Sequence, residues 1–175
     1  MLSSCYAYDG PTRSKIAHNL EPAPQKIIGK FTKSEYVAKV ANEVQEKIKE
    51  AEVKLLNDSL TLMFPNHITY NFSNLIPEKS IDIQMDKLAE LLRKYKLVDI
   101  LVTGHTDSRG EFKVNQTISQ VRADIIRDML YVRKIDSKRL SSWGLADNSP
   151  IASNSIASGR AKNRRVEFVV LYSTM

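Results

Sequence analysis

The chain has 175 residues, 42% apolar and 26% charged, enough for one compact domain with extra segments and a core that needs no covalent staples. Its 26 Lys and Arg against 20 Asp and Glu give a net charge of +6, but the signs are interspersed, as in Glu46-Lys47-Ile48-Lys49-Glu50, which marks a solvated surface. A single cysteine excludes an intramolecular disulfide and a multi-cysteine metal site, and no run approaches the ~18 apolar residues of a membrane-spanning helix.

Residues 1–30 contain Gly10-Pro11, Pro22, Pro24 and Gly29 with little periodicity and read as a flexible linker. Over 33–52 the residues Val37, Ala41, Val44, Ile48, Ala51 and Leu55 recur at steps of four and three. That spacing predicts a helix packed on the domain, with dimerisation as the lesser alternative, and makes 31–56 an N-terminal helix and lead-in. A main domain then spans 57–175. Ser59–Met63 and Ile68–Phe72 read as strands. Ile81, Met85, Leu88, Leu92 and Tyr95 stripe a helix across 80–96, and Val98–Val102 suits a strand buried on both faces. A second helix covers 117–132 with Ile118, Val121, Ile125, Met129 and Val132 expected on its inner face. Arg139–Trp143 and Val166–Tyr172 complete the strands. The alternation gives an α+β domain with helices packed on a mixed four-stranded sheet in βαβαβ-β order, preceded by an extra helix.

Chemistry concentrates in three segments. In Gly104-His105-Thr106-Asp107-Ser108-Arg109-Gly110, Asp107 follows the buried strand and so sits at a strand's carboxyl end, where open sheets bind ligands. Arg122 lies about 40° from Ile118 and about 20° from Met129 on the helix, within the apolar stripe. A guanidinium there needs a partner, and Asp107 is the obvious candidate; a plain ion pair bracing helix to loop explains it as well as a ligand site does. The third segment is Gly159 to Glu167, with Arg160, Arg164 and Arg165. His105 lacks a nucleophile motif or a second ligand at metal spacing, so it reads as structural and no enzyme, cofactor or metal site is expected.

These segments together resemble the OmpA-like (OmpA/MotB/Pal) peptidoglycan-associated family. The matching residues are Gly104-His105-Thr106-Asp107 with Gly110, Asn115, Ser119 with Arg122-Ala123, Gly144, Pro150-Ile151, Asn154, and Gly159-Arg160-Ala161-Lys162-Asn163-Arg164-Arg165-Val166-Glu167. They run in consistent order over roughly 60–172, and the helix at 33–52 falls outside them. The resemblance implies an OmpA-like domain whose ligand is the diaminopimelate of the peptidoglycan stem peptide. The free end of that residue carries an ammonium and a carboxylate on one carbon. By resemblance, Asp107 would accept from the ammonium and Arg122 would grip the carboxylate in two parallel bonds. Thr106, Ser108 and Asn115 would support or touch the ligand, and Arg165 would face the stem peptide or glycan.

Leu2-Ser3-Ser4-Cys5 resembles the lipobox of bacterial lipoproteins, in which the cysteine is lipidated. The combined expectation is a periplasmic protein attached to the outer membrane through Cys5, with peptidoglycan as partner and no nucleic acid. Further subunits of an envelope complex are the additional partners considered. The alternative is a protein-interaction subunit of an envelope machine, a secretion system or a stator, that keeps the fold without strong peptidoglycan binding.

Overall fold

A computed structural model describes residues 31–56, 58–64 and 79–173. The first helix, α1 (Lys33–Lys47), opens on a reciprocal cap: the Glu35 amide donates to Thr32 Oγ1 at 3.2 Å and the Thr32 amide to Glu35 Oε2 at 2.7 Å. Those bonds, the backbone one first, hold the Glu35 carboxyl below its usual range. Helix α1 buries Val37, Val40, Ala41 and Val44, with Ile48 buried just past its end.

The helix stops at Lys47, short of the expected residue 52. The chain turns at Lys49-Glu50 and enters β1 (Glu52–Leu56), which pairs antiparallel with β2 (Ser59–Met63). Leu55, expected on the helical stripe, is a strand residue left 49% exposed. An apolar residue three or four steps on is helical only if the backbone continues the helix, and here it does not. The extra strand makes the sheet five-stranded rather than four-stranded. The candidate strand at Ile68–Phe72 lies outside the described residues.

Next come α2 (Lys79–Lys94), β3 (Val98–Gly104), α3 (Phe112–Val132), a 3-10 turn at Ser137–Arg139, β4 (Leu140–Gly144), the short α4 (Ala157–Asn163) and β5 (Val166–Tyr172). The strand order is β1-β2-β5-β3-β4. Only the β3–β4 pair is parallel, and β5 runs between β2 and β3 antiparallel to both. The register aligns Leu62, Phe168 and Val102 in one row and Leu60, Val170 and Ile100 in the next. Side chains alternate along a strand, so both rows face the same way. All six are essentially inaccessible and share a single core cluster with the buried faces of α1, α2 and α3.

Two arginines tie the helices to this frame. Arg139 donates to the carbonyl oxygens of Leu92, Tyr95 and Val98 at 2.8–2.9 Å, satisfying the end of α2. Burial draws its pKa below the usual arginine value. Arg133 bridges α3 to Asp82 and Asp86 of α2.

Helix α1 belongs to this unit, as the sequence reading expected of a helix packed on the domain. Tyr36 meets Tyr95 and Tyr172 edge to face, and Lys47 pairs with Glu90 at 2.8 Å. Glu43 accepts from Tyr95 Oη and Lys94 Nζ, each at 2.5 Å. Ile48→Ala is expected to cost about 2–5 kcal/mol, the usual range for truncating a fully buried Ile, measured by urea unfolding; a cost near zero would show that α1 is dispensable to the core.

Burial, and then the bond to Glu43, raise the Tyr95 phenol above its ordinary value of 10.0. A raised folded-state pKa contributes stability that is complete below pH 10 and is lost as pH rises beyond it. Tyr95→Phe should therefore flatten the alkaline limb of the stability–pH profile, read as Tm between pH 9 and 12. An unchanged limb would assign the alkaline loss to other groups.

Candidate functional site

The parallel strands β3 and β4 end side by side at Gly104 and Gly144, and the Ser119–Gln120 turn of α3 lies directly against them. A Cβ at Gly104 would lie 2.0 Å from the Ser119 carbonyl oxygen, and one at Gly144 would lie 2.4 Å from the Gln120 amide nitrogen. Only glycine permits this approach. The helix face that meets the strand ends is accordingly small and polar: Asn115 and Ser119, then Arg122 and Ala123, are its buried residues at this level.

This corrects the expected inner face of the helix. Asn115, Ser119, Arg122, Ala123, Ile126 and Leu130 are buried, whereas Ile118, Val121, Ile125 and Met129 are only partly covered and Val132 is largely exposed. The helix also begins at Phe112 rather than 117. Apolar periodicity misplaced the stripe because one end of this face packs through hydrogen bonds. The Ala146 amide donates to Ser119 Oγ at 3.0 Å. Gln120 accepts from the Gly144 amide at 2.7 Å and donates to the Ser142 carbonyl at 3.4 Å. Gln116 donates to the Gly144 carbonyl at 2.6 Å. These glutamines act as a substitute strand along the edge of β4, which has no further strand beyond it.

The loop from His105 to Glu111 is fixed from both sides. The His105 amide donates to the Arg165 carbonyl, extending the β3–β5 ladder by one step, and the Thr106 amide donates to the Ala146 carbonyl, each at 2.9 Å. His105 is buried, with Nε2 3.2 Å from Thr103 Oγ1, as suits a histidine under the loop. Asn115 Nδ2 donates to the carbonyls of Asp107 and Arg109 at 3.3 and 2.9 Å and so organises the turn. Gly110, at φ +91°, completes the turn in the left-handed region. Thr106 Oγ1 is buried with no hydrogen-bond partner among the described residues.

Asp107 is 7% exposed, and both of its carboxylate oxygens are engaged. Oδ1 accepts from the Arg109 amide at 3.0 Å, and Oδ2 takes the guanidinium Nη1 of Arg164. Arg164, which the sequence reading left unassigned, thus places a guanidinium on Asp107. Arg122, 9% exposed, lies two turns beyond Asn115 on the same buried helix face. The Ser108 amide faces Asn154 Oδ1 at 3.4 Å, which also accepts from Asn163 Nδ2 at 2.8 Å.

Arg165, expected to face the ligand, is instead 3% exposed and pairs with Glu167 at 2.7 Å. It also donates to the carbonyls of Asn163 and Ser149. Asn163 in turn binds the Ile151 and Ala152 amides and the Ala152 carbonyl, so the pair braces the loop before α4. Arg165 shares strand parity with Glu167, which puts the two side chains on one face, whereas Arg164 belongs to the end of α4, its amide bonded back to the Arg160 carbonyl. Cys5 lies outside the described residues, and no group of three His, Cys, Asp or Glu among the described residues could hold a metal ion.

The arrangement sets one carboxylate and nearby guanidinium groups, mostly covered, on a loop and two flanking elements at parallel strand ends, equipment for holding small charged groups. The OmpA family pattern matches residues 70–164, more than half of the chain, and the chain belongs to the OmpA family. The "Probable lipoprotein YiaD" of Escherichia coli K12 is 35% identical over 113 residues, 65% of this chain and 52% of that protein. The "Peptidoglycan-binding protein ArfA" of Mycobacterium tuberculosis H37Rv is 37% identical over 86 residues, 49% of this chain and 26% of that protein. The matched part thus spans about half, or less, of these relatives' length. Among solved structures, the cell wall anchor of the T6SS from Pseudomonas aeruginosa matches with a TM-score of 0.67 at 29% identity, covering 77% of this chain and 97% of that one. A MotB-like protein from Desulfovibrio vulgaris shares the fold at a TM-score of 0.72 and 22% identity, covering 82% of this chain and 95% of that one.

Glu167→Ala would leave the buried Arg165 without its carboxylate, and a destabilisation of about 3–5 kcal/mol is expected. Chemical denaturation is the check. A change below about 1 kcal/mol, the scale of exposed pairs, would mean that the pair does not brace the fold.

Proposed function

We propose that this chain binds the peptidoglycan stem peptide non-covalently, through the free end of its diaminopimelate, and so anchors an outer-membrane lipoprotein or envelope assembly to the cell wall. The observation that carries the reading is the pair of opposite charges, Asp107 and Arg122, both nearly covered and both on elements organised by Asn115. A group that is zwitterionic on one carbon needs such a pair. Asp107 accepts from its ammonium, and the planar guanidinium of Arg122 takes its carboxylate. Helical side chains lean toward the N-terminus, which directs Arg122 toward the turn of Ser119 and the loop beyond it.

The supporting roles follow the geometry. Asn115 holds the loop carbonyls, and Thr106 and Ser108 offer a hydroxyl and an amide beside Asp107. The ligand-facing role first given to Arg165 passes to Arg164, which touches Asp107. The relatives that carry the terms lipoprotein, peptidoglycan-binding and cell wall anchor in their names support a periplasmic, wall-associated setting. Attachment to the outer membrane would run through a lipid on Cys5, and further subunits of an envelope complex would be its neighbours. The similarity to a T6SS anchor favours such an assembly over a solitary tether.

Asp107→Ala and Arg122→Ala should each weaken binding of a diaminopimelate stem peptide by at least ~30-fold, the effect of removing one partner from a covered charge pair. Calorimetric titration of folded variants is the measurement. Wild-type protein that binds no stem peptide but still captures envelope partners would overturn the wall reading and favour the interaction-subunit alternative.

A further inference from the structure

We propose that the end of the domain opposite Asp107, formed by the last turn of α3 and the end of α2, docks on a bilayer surface rich in anionic phospholipid. The bilayer enters through the wall-anchoring reading, in which the domain works close to a membrane. Helix α3 closes with the Ile135 amide on the Leu130 carbonyl at 3.3 Å and the Lys134 amide on the Tyr131 carbonyl at 2.9 Å, and Leu130 and Ile135 both belong to the core. The left-handed residue of this turn is Lys134, at φ +68°, where glycine is the usual occupant. A lysine stands there against the backbone preference of the turn. Beside it, Tyr131 and Val132 are 58% and 65% exposed. Arg139 brings further cations to the same place. Its bonds to the carbonyls of Leu92, Tyr95 and Val98 set the turn of Lys138 on the end of α2, where Arg93 and Lys96 are exposed. Arg93 in turn donates to the Arg133 carbonyl at 2.9 Å. Exposed Arg93, Lys96, Lys134 and Lys138 thus share one end of the domain with the two apolar residues. Lys94 is paired with Glu43, Arg133 with Asp82 and Asp86, and the exposed Asp136 carboxylate caps the Lys138 amide.

Cations alone would suit any polyanion, but the apolar pair among them narrows the partner. A tyrosine has an apolar ring and a polar tip, which suits it to the level of lipid headgroups. Val132 gains from leaving water there, and lysine stems lie along apolar surface while their ammonium groups reach phosphate. A nucleic acid would engage the same cations and leave Val132 in water. The direction of the fold agrees with a membrane. Helix α3 runs 21 residues, about 30 Å, from beside the Asp107 loop to this turn. Helix α1 starts at the same end, where Tyr36 packs on Tyr95 and the Tyr95 carbonyl takes the Arg139 guanidinium at 2.8 Å. A domain docked through this turn therefore holds Asp107 clear of the bilayer, on the side from which a wall ligand arrives. Each near-surface cation adds a modest, salt-screened attraction, so the contact orients the domain and releases it readily.

The test is cosedimentation of the full chain, with Cys5 unacylated, with two kinds of vesicle at low salt. One is phosphatidylcholine alone; the other is phosphatidylcholine and phosphatidylglycerol in equal parts. Wild type should bind the anionic vesicles and leave the neutral ones. Joint Lys134→Gln and Lys138→Gln substitution should weaken that binding by about 30-fold, the scale of two near-surface cations. Lys134→Gly alone should weaken it by about fivefold without lowering Tm, because glycine suits the turn better than the residue it replaces. Joint Tyr131→Ser and Val132→Ser substitution should also weaken it, and every variant should titrate a stem peptide as wild type does. Equal binding to both vesicles, or anionic binding untouched by these folded variants, would overturn the proposal. So would soluble polyphosphate that competes fully while the Tyr131 and Val132 variant binds as wild type, since the surface would then be a general polyanion site. Docking that depends on the turn in a chain that binds no stem peptide would sustain the proposal and overturn the wall reading.

Discussion

Helix α3 lies against the ends of β3 and β4 at a distance that leaves no space for a side chain on Gly104 or Gly144. The rest of the site depends on that approach. Where a helix crosses the middle of a sheet, bulky apolar residues fill the gap and keep the layers well separated. Here it crosses the strand termini, where backbone groups run out of ladder partners and must find them elsewhere. Ser119 and Gln120 supply those partners, to the Ala146 amide and to both sides of the β4 edge. The polar residues on this face are therefore the packing itself, and Arg122 is carried into cover by the same helix turn that seats them.

A second consequence falls on the loop between β3 and α3. The loop must leave the strand, turn, and enter a helix that is already pressed against the strand end. Asn115 ties the turn from the helix side through two loop carbonyls, and the extension of the β5 ladder ties it from the sheet side. Asp107 sits at the apex, with its own carboxylate bonded to the Arg109 amide two residues on, an Asx turn that fixes the direction of the side chain. A carboxylate held this way presents a fixed acceptor, which is what binding a small cation with defined geometry requires.

Most of the fold was legible in the sequence. Val166–Tyr172 matched the predicted strand end for end, and β3 and β4 differed from theirs by one or two residues; β3 and β5 are short runs dense in β-branched and apolar residues, which leave few alternatives. Strand β1 was missed because Ala51 and Leu55 continued the stripe of α1 at the right spacing, and periodicity alone does not register where a helix ends. The buried face of α3 was misread for the opposite reason: its decisive residues are polar, so a search for apolar repeats followed Ile118, Val121 and Val132 to the less covered side. Asp107 and Arg122 were expected in covered positions, and both are buried, because charged residues there stand out against an apolar pattern. Arg164 was not, since two adjacent arginines look equivalent until the end of α4 brings one to Asp107 and the start of β5 pairs the other with Glu167.

The same topology separates the start of α1 from the candidate site. Helix α1 begins beside Tyr172, with Lys33 over that ring at 5.6 Å, and Tyr36 packs on Tyr95 and Tyr172. Tyr172 is opposite Val98, the first residue of β3, whereas the candidate site lies past Gly104, the last. Seven residues of strand separate them, about 20 Å at the rise of an extended chain. The start of α1 therefore lies at one end of the sheet and Asp107 past the other. The Tyr95–Glu43 and Lys47–Glu90 contacts that secure α1 share no residue with the loop that carries Asp107. The start of α1 and the candidate site are joined through β3 and β5, held side by side over seven paired positions.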